Sequence, residues 1–147
     1  SVSIEMALLA RKGRVYAVEK NENALALLAE NRKKFHVSNL EIVPGRAPEA
    51  CRELSAPTHV FIGGSTGGLR DIMTLVLEKN PNARLVLTAV TLESVAEMER
   101  LVKEFHFADT DITCLNVSRA RELGAYHLMT AQNPVYLFTL QRREGAV

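Results

Sequence analysis

The sequence predicts an α/β fold built on a mostly parallel sheet that finishes in an antiparallel pair of strands. Short apolar runs alternate with helical segments across short connections, a pattern that places helices on both faces of a parallel sheet. The earlier runs are continuously apolar, which suits strands covered on both sides. The last two runs, 110–118 and 134–141, have no convincing long helix between them. Strands joined without a crossover helix pair antiparallel.

The chain has 147 residues, so a single domain over 1–147 is expected. Its 47% of hydrophobic residues is enough for a core. Lys+Arg 18 against Asp+Glu 17 leaves no basic excess, which argues against a nucleic-acid partner. Cys51 and Cys114 stand far apart, without CxxC spacing. They predict free thiols in a reducing compartment, the cytoplasm. No apolar run approaches the roughly 20 residues of a membrane span, and residues 1–11 do not resemble a signal peptide. The histidines (His36, His59, His106 and His127) lack metal-ligand spacing, so no metal is expected. Met73, Met98 and Met129 are expected in the core.

Val2, Ile4, Met6, Ala7, Leu8 and Leu9 surround Glu5. This density predicts a mostly buried helix that begins at or before Ser1, with a further element upstream. Gly13 breaks the pattern, and 15–18 reads as a strand. Asn21 can cap a helix to about Lys34, with Ala24, Leu25, Leu27 and Leu28 inward. A strand at 40–43 ends in Pro44-Gly45, and 47–54 could form a short helix. The strand at 58–62 is closed by Gly63-Gly64-Ser65-Thr66-Gly67-Gly68. A helix at 69–78, a turn at Asn80-Pro81-Asn82 and a strand at 83–88 follow. Thr91 can cap a helix over 92–105, where Glu93 and Glu97 suit the dipole. Six strands are expected, with a vacant position between the 15–18 and 58–62 strands.

Ligands of open α/β sheets bind just beyond the carboxyl ends of strands. Glu19 stands at such an end. An acid about 20 residues after a glycine loop can accept hydrogen bonds from both ribose hydroxyls. Counting back places that loop at or just before Ser1, so Ser1, Val2, Glu19 and Lys20 are candidate cofactor residues. The alternative for Glu19 is a solvated acid opening a turn. Four glycines in the six residues 63–68 let backbone approach a ligand, and a helix N-terminus follows. Gly63 and Gly64 therefore read as a ligand wall; a flexible turn is the alternative. No Gly-Lys-Ser/Thr follows, so this is not a Walker loop. Pro44-Gly45-Arg46-Ala47-Pro48-Glu49 could flank an adenine ring through Arg46 and Ala47, or be a proline-bounded loop. Asn133-Pro134-Val135-Tyr136 is similar to the Asn-Pro-Pro-Tyr/Phe signature of amino-methyltransferases. Here it opens the last strand, so it reads as structural.

A parallel sheet with an antiparallel ending is also the layout of the Rossmann-like class I methyltransferases. Ser-Val-Ser-Ile-Glu (1–5), Val-Tyr-Ala-Val-Glu (15–19), Phe-Ile-Gly-Gly-Ser (61–65), Ala-Val-Thr-Leu-Glu (89–93), Val-Ser-Arg-Ala-Arg-Glu-Leu-Gly-Ala-Tyr-His (117–127) and Asn-Pro-Val-Tyr (133–136) point further. Together they resemble the precorrin decarboxylating methyltransferases of cobalamin synthesis. That family occurs alone or as the C-terminal half of precorrin-6Y carbon-5/carbon-15 methyltransferases. The resemblance implies S-adenosylmethionine as methyl donor, a precorrin or cobalt-precorrin as substrate, and a homotetramer. It implies methylation of carbon 15 with loss of carbon dioxide from a ring acetate. The family opens this stretch with a strand and a Gly-x-Gly-Thr-Gly loop, so the first strand and the loop are expected to be absent from this chain. Arg46 stands where relatives often carry Asp.

Methyl transfer to carbon needs an in-line approach more than acid–base machinery, so no catalytic triad is expected. A tetrapyrrole bearing acetates and propionates suits arginine recognition. Ser65, Arg119 and Arg121 are the candidates for the substrate, with Arg70 weaker; a solvated surface charge is the alternative for each arginine. Another small-molecule methyltransferase, a non-catalytic nucleotide-binding module and a nicotinamide dehydrogenase domain remain open. The antiparallel ending disfavours the last.

Overall fold

A computed structural model of the chain describes residues 2–64 and 67–142; Ser1, Ser65, Thr66 and 143–147 lie outside the described residues. The chain divides into two compact units, residues 1–55 and 56–147.

The first unit runs α1 (Val2–Leu9), β1 (Val15–Glu19), α2 (Glu22–Lys34) and β2 (Leu40–Pro44), then a 3₁₀ turn at Glu49–Cys51 where a short helix was expected. The two strands pair in parallel, from Val15 opposite Leu40 to Glu19 opposite Pro44. Ile4, Ala7, Val15, Ala17, Leu28, Val37 and Leu40 form the core. Asn21 caps α2 as expected, its Oδ1 accepting from the Ala24 N–H at 3.1 Å. The Asn39 Nδ2 donates to the carbonyls of Ala7 and Ala10 at 2.9 and 2.8 Å. These bonds satisfy orphan carbonyls at the end of α1. Two expectations fail on burial. Leu27 is exposed, because the inward stripe of α2 passes through Leu28 instead. In α1 only Ile4 and Ala7 are buried. Apart from Ser3 and Glu5 that helix is apolar, and it lays one stripe on the unit's core.

The second unit contains β3 (His59–Gly63), α3 (Leu69–Lys79), β4 (Arg84–Ala89), α4 (Leu92–Glu104), β5 (Asp109–Leu115), β6 (Ser118–Leu123), β7 (Tyr126–Ala131) and β8 (Val135–Gln141). Its main sheet has the order β3-β4-β8-β5. β3 and β4 are parallel, and β8 runs antiparallel to both β4 and β5. The antiparallel ending is thus present, with β8 inserted between its neighbours. Met73, Leu85, Leu87, Leu101, Phe138 and Leu140 are fully buried around the sheet. Thr91 caps α4, its Oγ1 accepting from the Ser94 N–H at 3.2 Å. β1 and β3 do not pair with each other among the described residues.

The stretch between β5 and β8 differs from expectation. It forms a hairpin, β6–β7, closed by Gly124-Ala125 between the paired Leu123 and Tyr126. Gly124 takes φ +60, which a tight two-residue turn of the II′ kind requires at that place. The described residues therefore hold eight strands rather than six. Every residue of β6 and β7 is exposed, so neither face shows the apolar alternation that betrays a half-buried strand. Met129 lies on this hairpin and is exposed, unlike buried Met73 and Met98.

Candidate functional site

In the first unit the cofactor candidates gather at the carboxyl ends of β1 and β2. Glu19 closes β1, and its Oε1 accepts from the backbone N–H groups of Lys20 and Asn21, both at 2.8 Å. This bonding holds the carboxylate at the strand end and leaves Oε2 without a hydrogen bond among the described residues. The Gly45 N–H donates to the Glu19 carbonyl at 2.9 Å, which sets Gly45-Arg46-Ala47 directly beside the acid. Gly45 has φ +140, and a Cβ there would meet the Ala50 Cβ at 2.8 Å. Only glycine fits that bend. Lys20 and Arg46 are exposed and Ala47 is half-buried. Val2 is exposed at the start of α1. A carboxylate oxygen without a hydrogen bond among the described residues, beside half-buried Gly45 and Ala47, fits a ribose-bearing cofactor.

Groups displaced from their ordinary titration ranges lie elsewhere. A hydrogen bond with Ser55, and then one from Arg14, lowers the Tyr16 phenol. Lys103 lowers the Glu99 carboxyl through a 2.8 Å bond on α4. A cleft of about 460 Å³ lined by Arg14, Arg32, Asn39 and Glu41 opens at the amino ends of β1 and β2, the opposite end from Glu19.

In the second unit Gly63 closes β3 and Gly64 follows at φ +87, both exposed. A Cβ on Gly63 would meet the Phe61 Cε1 at 2.8 Å. Because β8 runs against β4, its start lies at the same carboxyl end: Tyr136 is opposite both Ala89 and Cys114. β5 also ends there, and the hairpin springs from between them. Its base is tied by the Gln132 N–H donating to the Val117 carbonyl at 2.8 Å. Arg119 and Arg121 thus rise from the expected edge, opposite Thr130 and Leu128. Alternation places both arginines on one face of the ribbon. Arg70 is otherwise engaged: its guanidinium bonds Glu104 at 2.7 Å and ties α3 to α4. Ser1 and Ser65, the remaining candidates, lie outside the described residues. Sequence reasoning quoted Val90 and Leu92 within a family-like stretch but gave them no role; both are exposed just after β4. Their signal was two apolar residues flanking a capping threonine.

The fold, a parallel arrangement that finishes in antiparallel strands, is that of the Rossmann-like methyltransferases. A SAM-dependent O-methyltransferase from Thermotoga maritima shares that fold at a TM-score of 0.70 and 15% identity, over 94% of this chain and 53% of that one. The chain belongs to the precorrin methyltransferase domain family, which it matches over residues 1–142. It is 38% identical to the probable cobalt-precorrin-6B C(15)-methyltransferase (decarboxylating) of Pyrobaculum calidifontis, over 95% of this chain and 72% of that protein. The crystal structure of precorrin-6Y C5,15-methyltransferase from Geobacter metallireducens superposes at a TM-score of 0.87 with 34% identity, covering 97% of this chain and 75% of that one.

Proposed function

We propose that the chain transfers a methyl group from S-adenosylmethionine to a ring carbon of a precorrin or cobalt-precorrin, with loss of an acetate carboxyl as carbon dioxide, in cobalamin biosynthesis. Membership of the precorrin methyltransferase family across 1–142 carries this reading. When bound, S-adenosylmethionine supplies an electrophilic methyl on its sulfonium. Glu19 accepts hydrogen bonds from the ribose hydroxyls. Val2, Lys20, Arg46 and Ala47 are the further candidates of the first unit for the nucleoside, with Ser1 assigned to it from the sequence alone, and in the second unit Gly63 and Gly64 let backbone approach a ligand. The electron-rich macrocycle is its own nucleophile, so the protein's task is orientation, worth effective molarities on the order of 10⁵–10⁸ M. Arg119 and Arg121, with Ser65, hold the substrate's carboxylates; guanidinium groups suit them because they bond in bidentate fashion.

The protein acts in the cytoplasm as a homo-oligomer, a tetramer, without nucleic-acid or membrane partners. Among the described residues no helix is long and apolar enough to cross a membrane. The exposed hairpin supports assembly, since a lone two-stranded ribbon is marginal in water. The test incubates the full-length protein with S-adenosylmethionine and cobalt-precorrin-6B and reads the product by mass spectrometry. A product that has gained a methyl and lost carbon dioxide is expected. An unchanged tetrapyrrole overturns the reading.

A further inference from the structure

We infer that Val90 and Leu92 are positioning residues: an apolar ledge on which the tetrapyrrole ring rests, fixing its reacting carbon. The inference builds on the function proposed above. Ala89 ends β4, and Thr88 is opposite Gly63. Val90 and Leu92 therefore stand at the carboxyl end of the sheet, beside the glycines of β3. They are 57% and 76% exposed. The local structure explains why. Thr91 turns its hydroxyl to the Ser94 N–H at 3.2 Å, which leaves its two neighbours outside the cap. Leu92 also continues the apolar stripe of α4, formed by Val95, Met98 and Leu101 at intervals of three. That stripe packs on the core up to Val95. The strand beneath it stops at Ala89, so Leu92 overhangs the sheet and stays exposed among the described residues.

Neither the cap nor the helix needs an apolar side chain at either position. A ligand with an apolar face does. The same edge carries the base of the hairpin, with Arg119 and Arg121 on one face. An apolar ledge at the sheet edge from which a ribbon with two arginines springs matches a conjugated ring with carboxylates around its rim. A small polar acceptor would have no use for the ledge.

The experiment compares Leu92→Gln, Val90→Gln and the conservative Leu92→Met in the full-length protein. It reads cobalt-precorrin-6B binding by absorbance titration, S-adenosylmethionine binding by calorimetry, KM and kcat, thermal unfolding, and size by light scattering. Each Gln variant should raise the tetrapyrrole Kd and KM on the order of tenfold, as expected when one aliphatic side chain is lost from a buried contact. Cofactor affinity, unfolding temperature and size should stay unchanged, and Leu92→Met should bind nearly as the parent does. Unchanged Kd and KM in Leu92→Gln overturn the ledge and leave the proposed function standing. A Gln variant that binds the tetrapyrrole normally but falls apart into smaller species places these residues between copies of the chain, and also overturns it. A parent protein that binds no tetrapyrrole sinks the proposed function and the ledge with it.

Discussion

Glu19 carries the most weight at the scale of the residue. Its Oε1 is occupied by two backbone donors at 2.8 Å, so the carboxylate is oriented before any ligand arrives. Glu19→Ala should weaken S-adenosylmethionine binding by about 2–4 kcal/mol, since hydrogen bonds to a charged acceptor are worth roughly 1.5–3 kcal/mol each. Calorimetry with unchanged affinity would remove Glu19 from the cofactor site. Gly45 is the second residue on which the site depends. At φ +140, with the Ala50 Cβ 2.8 Å from where a Cβ would stand, Gly45→Ala should cost about 1–3 kcal/mol in strain. Thermal unfolding reads that loss. An alanine variant as stable as the parent would show that the bend relaxes freely.

Among the elements, the β6–β7 hairpin separates a substrate-binding role from a merely solvated one. Arg119 and Arg121 share a face, and the hairpin leaves the sheet at the carboxyl end of β5. The double variant Arg119→Ala/Arg121→Ala should lose tetrapyrrole binding by about tenfold or more, as charge-assisted bonds worth roughly 1.5–3 kcal/mol disappear. Cofactor affinity should hold. Normal methylation by that variant would make the arginines surface charges. The caps at Asn21 and Thr91 were legible in the sequence because a cap is a local arrangement, one side chain reaching an N–H three residues ahead. The hairpin was not legible. Gly124-Ala125 is a weak turn signal, and with both faces exposed no buried side imposes alternation on the residues around it.

For the whole molecule, the exposed hairpin makes assembly the property to measure. Tyr126 and Met129 are 78% and 62% exposed on it, a cost unless other protein covers them. Light scattering on the full-length protein at micromolar concentration should give the mass of a tetramer; a monomer would refute the proposed assembly.

The sequence by itself determined the order and kind of the elements from α1 to β5, their caps, and the strand ends where Glu19, Gly45 and Gly63 stand. Those features rest on neighbours a few residues apart and on apolar runs that suit one period. The same reading offered Glu19 and the glycines as a site because loops at strand ends are where ligands of such sheets lie. Only the tertiary structure decided that β8 enters between β4 and β5, since a strand's partner depends on which edge remains open when it arrives. It also decided that Leu27 and Met129 face outward, and that Val90 and Leu92 overhang the sheet. Burial belongs to what packs against a side chain, and two residues of equal hydropathy differ in it when the strand beneath one of them ends a residue too soon.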